Sequence, residues 1–302
     1  MQQSETAVDS QDAHVIPPVS PDEAVSLAST ELARFLALLE SLALHDWEAP
    51  TDCTLWTVHD VVAHVAGALA AYADRDLLAA RSEPWPSRQT DAPGVTMAVF
   101  IADVTGIPQT RRDAYRALGF NPLDALNQYQ VDEREHATPD ELMDELRTAG
   151  PAGIACRRSM PDAVRNVQLP IAGARAPVHY LTDVIYPRDM WMHRMEIALA
   201  TGHSIIRTSD HEGRLTALVM RDLARRLTPD LGSRTAVYRL IGPDGGAFRF
   251  GARHAPDCVI SMDTVDFHLL ASGRRSPRES CASIEGDTVF GGRLLEQTEV
   301  GY

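Results

Sequence analysis

Lysine is absent from this chain of 302 residues, and its 28 basic residues, all arginine, are outnumbered by 42 acidic ones. The formal net charge of −14 argues against nucleic acid or an anionic membrane as a partner, since both need concentrated positive charge. Long apolar runs are missing too: no stretch reaches the roughly 18 apolar residues of a membrane span, and the N-terminus has neither the basic start nor the apolar run of a signal peptide. We therefore expect a cytoplasmic protein.

Cysteine is scarce and scattered. The four cysteines, Cys53, Cys156, Cys258 and Cys281, form no C-x-x-C pair. Neither a disulfide framework nor a thiolate zinc site is therefore indicated, and a reducing compartment fits this pattern best.

Sequence signals for the start of a helix, unlike cysteines, are frequent in this chain. Residues 20–23, 57–60, 138–141 and 209–212 each place a hydroxyl at the N-cap and a carboxylate at N3, the pattern of a capping box. Apolar residues recur with a period near 3.6 after the first two starts. The pattern predicts a helix-rich fold, with the fourth helix beginning at Ser209.

The length and the 44% hydrophobic content allow two domains. We expect a disordered tail over residues 1–19 and a helical domain over residues 20–204. Residues 205–302 are richer in β-forming runs, with a hairpin signature P-D-G-G between 236–241 and 247–250. The predicted class is α+β, with a helical domain followed by a small α+β domain.

The segment D-M-W-M-H carries the most chemical information. Asp189 and His193 are four residues apart, so on a helix they share one face and are able to chelate a single metal. His64 lies at the edge of the apolar stripe of another helix, facing a bundle interior. Three protein ligands leave a coordination position open for chemistry. The ordinary meaning of D-x-x-x-H is an exposed ion pair or a helix-dipole contact, so this pattern alone is a weak signal.

Two longer segments resemble a known family. Residues 46–67, with T-D-C-T-L-W-T-V-H-D-V-V-A-H, and residues 188–202, R-D-M-W-M-H-R-M-E-I-A-L-A-T-G, resemble the mycothiol-dependent maleylpyruvate isomerase family. That family belongs to the DinB-like metal-binding four-helix bundles. Residues 269–274, 284–287 and 293–295 resemble more loosely its second domain, related to sterol-carrier-type folds. The resemblance implies a DinB-like four-helix bundle followed by a sterol-carrier-like α+β domain.

The resemblance also implies a cofactor and a co-substrate. Family members bind a divalent metal, generally zinc, through a His of the second helix and an acid-x-x-x-His pair of the last, here His64, Asp189 and His193. Their co-substrate is mycothiol, the low-molecular-weight thiol of actinobacteria. Coordination to zinc deprotonates a thiol, which then attacks an electrophile.

Three functions remain open from the sequence. We expect transfer of the mycothiol sulfur to a small electrophile, by a monomer or homodimer. One alternative is thiol-assisted cis-trans isomerisation of the maleylpyruvate type, although this chain carries Asp189 where the founding isomerase carries Glu. The other alternative is a non-catalytic, metal-stabilised ligand-binding protein.

Other residues near these motifs have ordinary interpretations. Trp56 and Trp191 are predicted to fill the core beside the site. His59 is predicted to face away from His64, and Cys53 is predicted to be a small packing residue. By its family position Arg274 is a candidate for binding a substrate carboxylate, although a surface arginine is the simpler interpretation.

Overall fold

The computed structural model describes residues 10–171, 174–252 and 255–302. The helices are α1 (Pro21–Leu39), α2 (Val58–Ala70), α3 (Arg75–Ser82), α4 (Met97–Thr105), α5 (Gln109–Ala117), α6 (Pro122–Asp132), α7 (Pro139–Ser159), α8 (Asp162–Arg165), α9 (Val178–Tyr180), α10 (Tyr186–Thr201), α11 (Glu212–Leu231), α12 (Thr264–Ala271) and α13 (Thr288–Glu296). The strands are β1 (Gln11–Asp12), β2 (Gln168–Ile171), β3 (Ala174–Pro177), β4 (Ala236–Ile241), β5 (Gly246–Phe250), β6 (Cys258–Asp263) and β7 (Ser283–Gly286). In these ranges no helix is long and apolar enough to cross a bilayer.

The described residues divide into two compact units. One comprises Ser20–Ile205, and the other comprises Ile206–Tyr302 together with the described residues that precede Ser20. The first unit is mainly helical and the second combines helices with a mixed sheet, so the α+β class is as predicted.

The first unit is built around four helices. α1, α2, α7 and α10 contact one another in a ring, α1 with α7 and α10, and α2 with the same two. Their shared core includes Phe35, Val61, Leu146 and Ile197, all fully buried. Capping boxes start α1, α2 and α7 at the predicted residues. Local hydrogen bonding therefore fixes where three of the four bundle helices begin.

A glycine sets how closely two of these helices approach. A Cβ atom built on Gly153 of α7 would lie 2.3 Å from the carbonyl oxygen of Leu69 on α2. Such an overlap with backbone cannot be relieved by turning a side chain. The absence of a side chain at Gly153 lets α7 and α2 pack backbone against backbone.

The helix that carries D-M-W-M-H is entered through a wider turn. A π-helical turn, Leu181–Ile185, follows α9 and leads into α10, where Pro187 occupies the first turn. Proline has no N–H and its ring crowds the preceding turn of a helix, and the wider π-helical turn relieves that crowding. α10 ends at Gly202, whose φ of 69° is left-handed, a conformation that glycine adopts without steric cost.

The second unit contains a five-stranded sheet in the order β1-β5-β4-β6-β7. β4 and β5 form the predicted antiparallel hairpin, β4 and β6 are parallel, and β6 and β7 are antiparallel. α11, α12 and α13 contact the sheet and bury a core that includes Leu223, Tyr238, Phe267 and Phe290.

The predicted disorder of residues 1–19 is wrong for the part that the structure describes. Gln11–Asp12 adds a parallel strand to β5 at the sheet edge, and Ala13 and Ile16 are buried. The edge of β5 offers unpaired backbone groups to which Gln11–Asp12 can bond. Burial of the apolar side chains of Ala13 and Ile16 stabilises this pairing further. Residues 1–9 of the predicted tail lie outside the described residues.

The fourth predicted helix start is also wrong by a few residues. α11 begins at Glu212 rather than after an N-cap at Ser209. The backbone N–H and the hydroxyl of Thr208 donate to the Glu212 carboxylate, at 2.7 and 3.0 Å. The N-cap of α11 is His211, which makes no side-chain capping bond, and the Thr208–Glu212 contact spans the turn before the helix.

Two further stretches belong to the first unit. Residues 97–117 form two helices, α4 and α5, because the chain turns at Gly106, with a φ of 76°, just before Pro108. The connection between α7 and α9 contains α8 and the antiparallel pair β2–β3. Leu169 of this pair is fully buried, which anchors the hairpin to the unit.

Candidate metal centre

The three predicted ligand residues come together inside the helical unit. His64 lies on α2, and Asp189 and His193 lie one turn apart on α10. His64 Nε2 is 3.5 Å from Asp189 Oδ2, and His193 Nε2 is 3.3 Å from Asp189 Oδ1. One ligand atom from each residue lies within 4.8 Å of the other two. The structure therefore forms from α2 and α10 the cluster that the sequence pattern suggested.

The donor set fits a divalent metal such as zinc. Ligand atoms around a tetrahedral zinc, at about 2.0–2.2 Å from the ion, are separated from one another by roughly 3.3–3.6 Å. The two imidazole-to-carboxylate distances, one to each oxygen of Asp189, lie in this range. Both histidines are buried, whereas the Asp189 side chain retains 22% of its exposure, so solvent reaches the cluster beside the carboxylate.

Glu196 orients one of the histidines. His193 Nδ1 lies 2.6 Å from Glu196 Oε2, and the Glu196 carboxylate is buried. Because a carboxylate accepts, this contact places a proton on Nδ1 and leaves Nε2 free to bind a metal when the ring is neutral. The sequence interpretation missed this role, although H-x-x-E places both residues on one helical face.

Cys53 adds a contact to the same carboxylate. Its thiol donates to Glu196 Oε1 at 3.3 Å, a polar contact in addition to the packing role predicted for Cys53. Cys53, Glu196 and His193 form a second group of closely spaced donor atoms. Glu196 in this group accepts from Nδ1, the ring nitrogen on the side away from Asp189, and we assign the group to orienting His193.

The ring of Trp56 packs against the other histidine, His64. The two ring centroids are 5.1 Å apart, and the Trp56 ring also faces His193 at 6.3 Å. The indole N–H donates to Gln128 Oε1 at 3.1 Å, and the Gln128 amide donates to Asp132 at 2.7 Å. The indole is only partly buried, so it both packs on the cluster and forms part of its wall.

The remaining candidates lie elsewhere. His59 Nε2 is 2.8 Å from the carbonyl oxygen of Ala137, and His59 belongs to no group of possible metal ligands among the described residues. Trp191 is fully buried, which agrees with a packing role. Arg274 follows α12 in the second unit, where its backbone N–H donates to Leu269. A substrate contact by Arg274 stays a prediction.

The charges of the cluster are strongly coupled. Burial alone would raise the pKa of the Asp189 carboxyl, but the histidines hold that pKa well below its usual range. Burial alone would lower the pKa of the His193 imidazole, but the negative charges of Asp189 and Glu196 raise it to about 9. Near neutral pH the metal-free cluster therefore holds a proton on His193 that a metal has to displace.

This proton predicts a pH dependence of metal binding. Below its pKa of about 9, His193 is protonated in the metal-free protein, so binding at Nε2 releases one proton. Zinc affinity should rise by about tenfold per pH unit over about pH 6 to 8. Competition with a chelating indicator measures it, and His193→Gln should remove the contribution of this proton to the slope. A flat profile in the wild-type protein would contradict the assignment of His193 as a ligand.

Fold and site together define an α+β protein whose helical unit encloses a His-Asp-His cluster suited to a divalent metal. The family model described as "Mycothiol maleylpyruvate isomerase N-terminal domain" matches residues 28–198, more than half of the chain, and the chain belongs to this family. None of the curated proteins matches it.

Solved structures of the mycothiol-dependent maleylpyruvate isomerase share the fold. One has 14% identity and a TM-score of 0.55, and covers 96% of this chain and 100% of its own. A histidine-to-alanine mutant of that isomerase has 15% identity and a TM-score of 0.53, with the same coverage.

Proposed function

We propose that this chain is a metal-dependent enzyme that activates mycothiol and directs its sulfur to a small electrophile. The family supports the thiol, and the donor set of His64, Asp189 and His193 supports the metal. One observation carries the proposal: among the described residues, no fourth His, Cys, Asp or Glu joins this cluster. Three protein ligands are typical of a catalytic centre, because a coordination position stays available to an exogenous group.

The chemistry needs a thiolate at neutral pH. A divalent metal at this position would bind the thiol sulfur and lower its pKa from about 8.5, so that the thiolate forms at neutral pH. The residues of the chain prepare the site: Glu196 keeps a proton on His193 Nδ1, and the Trp56 ring packs against that of His64. Burial of both imidazoles keeps bulk water from their ligand atoms.

Two outcomes follow from attack by the thiolate. In S-transfer, a carbon–sulfur bond forms, the electron pair is protonated or leaves with a departing group, and the conjugate is released. In isomerisation, the sulfur adds to a conjugated double bond, the carbon–carbon bond rotates, and the carbon–sulfur bond breaks again. S-transfer remains our first proposal because the acidic ligand of this chain is Asp189, whereas the founding isomerase carries Glu at that position. The likeness in fold to the isomerase structures favours isomerisation as the second candidate.

Calorimetry with mycothiol tests the proposal. Zinc-loaded protein should bind mycothiol more tightly than chelator-treated protein, and binding should release a proton since only the deprotonated sulfur coordinates. Titrations in two buffers of different ionisation enthalpy count that proton. S-methylated mycothiol is the matched control. Its affinity should be the same for zinc-loaded and chelator-treated protein.

Each result distinguishes enzyme from binding protein. Tighter, proton-releasing binding to the zinc-loaded protein supports thiol activation. Equal affinity with and without zinc, without proton release, favours the non-catalytic ligand-binding protein.

A further inference from the structure

The indole of Trp56 lies beside the candidate metal centre, on a segment that is not helical. Trp56 precedes the N-cap of α2, and its neighbour Leu55 is 76% exposed. Loop hydrogen bonds hold the Trp56 backbone: its N–H donates to the carbonyl oxygen of Cys53 at 2.7 Å, and its own carbonyl oxygen accepts from the N–H of Thr51 at 3.2 Å. The indole itself is only partly buried, so packing restricts it less than it would restrict a ring in a closed core.

A chain of hydrogen bonds leads away from this indole. The Trp56 N–H donates to Gln128 Oε1 at 3.1 Å, and Gln128 Nε2 donates to Asp132 Oδ1 at 2.7 Å. The other oxygen of Asp132 accepts from the Tyr115 hydroxyl at 2.5 Å. Gln128 and Asp132 lie one turn apart on α6, and Tyr115 lies on α5. Two helices outside the four-helix ring thus reach a side chain of the metal centre.

The direction of each bond in this chain is fixed. An indole N–H only donates and a carboxylate only accepts. Gln128 therefore turns its amide N–H toward Asp132 and its amide oxygen toward Trp56. Burial and the Asp132 carboxylate raise the pKa of the Tyr115 hydroxyl, which therefore stays a donor. The negative charge of Asp132 polarises the Gln128 amide and strengthens the oxygen that accepts from the indole.

The helix that carries Gln128 and Asp132 packs tightly on the helix of a metal ligand. A Cβ atom built on Gly67 of α2 would lie 2.8 Å from Gln130 Cβ on α6. Gly67 follows His64 by one helical turn, so α6 approaches α2 closely beside this ligand. Gln128 and Asp132 therefore occupy a fixed place relative to the ligand helix.

We propose that Asp132 is a positioning residue for the candidate metal centre. Acting through Gln128, it holds the Trp56 indole with its centroid 5.1 Å from that of the His64 ring. The same indole faces His193 at 6.3 Å, so its position limits the space beside two of the three ligands. As a role in catalysis this rests on the proposed function, whereas the placement of the indole does not.

The tryptophan side chains of the metal-free protein test the placement. The chain has four tryptophans, and Trp56→Phe identifies the indole N–H signal of Trp56 in the ¹⁵N–¹H spectrum. Asp132→Asn keeps the size of the side chain and removes its charge, so the proton signal of Trp56 should move upfield as its hydrogen bond weakens. Gln128→Met removes the acceptor and should move the signal further. If packing alone held the indole, Asp132→Asn would leave the signal in place.

The matched control lies at the next residue. Glu133→Gln removes a charge from an exposed carboxylate that pairs with Arg111, and it should leave the Trp56 signal unmoved. The other three indole signals should stay in place in every variant, which shows that the fold is retained. If Asp132→Asn does not fold, Gln128→Met and Glu133→Gln provide the comparison.

Zinc affinity shows whether the indole acts on the ligands. Asp132→Asn should weaken zinc binding by about threefold or more in otherwise wild-type protein. In a Trp56→Phe background, which has no indole N–H to hold, the same substitution should have no further effect. Competition with a chelating indicator measures all four affinities.

Three results would overturn the proposal. They are a Trp56 signal that Asp132→Asn leaves in place, a zinc affinity that Asp132→Asn leaves unchanged, and an equal loss of affinity with and without the Trp56→Phe substitution. Wild-type protein that binds no zinc would contradict the proposed function. The indole signals are recorded without metal, so they still decide whether Asp132 places Trp56, and the two failures are distinguishable.

Discussion

Replacing His193 by alanine is expected to remove most of the metal from the purified protein. Wild-type protein prepared without chelator should contain about one equivalent of divalent metal, and His193→Ala should lower the occupancy by about tenfold or more. The effect is large because the variant lacks one of three ligands, the imidazole that Glu196 orients through a 2.6 Å contact. His64→Ala should act in the same direction. Elemental analysis measures the occupancy.

The control for this prediction lies on the same helix as His64. His59 bonds to the carbonyl oxygen of Ala137 outside the cluster, so His59→Ala should retain the metal of the wild-type protein. Circular dichroism should show that all three variants remain largely helical. Wild-type protein that contains no metal and takes up none would contradict the site.

Changing Glu196 to glutamine should weaken metal binding while all three ligands remain. The amide is still able to accept from His193 Nδ1, but it lacks the negative charge that makes the imidazole a better donor to a metal. Loss of such an outer partner typically costs about 10–100-fold in metal affinity. Competition with a chelating indicator measures the affinity.

Cys53 provides the matched comparison. Cys53→Ala removes the 3.3 Å thiol contact to Glu196 but leaves the pairing of the carboxylate with His193. Its zinc affinity should stay close to that of the wild-type protein. If Glu196→Gln and Cys53→Ala bind zinc equally tightly, Glu196 does not act through His193.

Local signals in the sequence predicted much of the fold. The boxes at Ser20, Thr57 and Thr138 join residues only three apart, and their hydrogen bonds form whatever the rest of the chain does. The N-terminal segment shows the opposite case. Gln11–Asp12 pairs with a strand more than two hundred residues away, and no local pattern reveals such a partner.

The candidate site likewise combines residues that a local pattern reveals with a residue that it does not. Asp189 and His193 were found from their spacing on one helix, and Glu196 was open to the same reasoning. His64 needed the family resemblance as support, because α2 and α10 meet only in the folded unit.

The most direct measurement of the central claim is the visible spectrum of cobalt-substituted protein titrated with mycothiol. If the sulfur binds to a metal held by His64, Asp189 and His193, a sulfur-to-cobalt charge-transfer band should appear and saturate at one thiol per cobalt. The band should be absent in His193→Ala at the same total cobalt. A wild-type spectrum that mycothiol leaves unchanged, in protein shown to hold cobalt, would contradict the account.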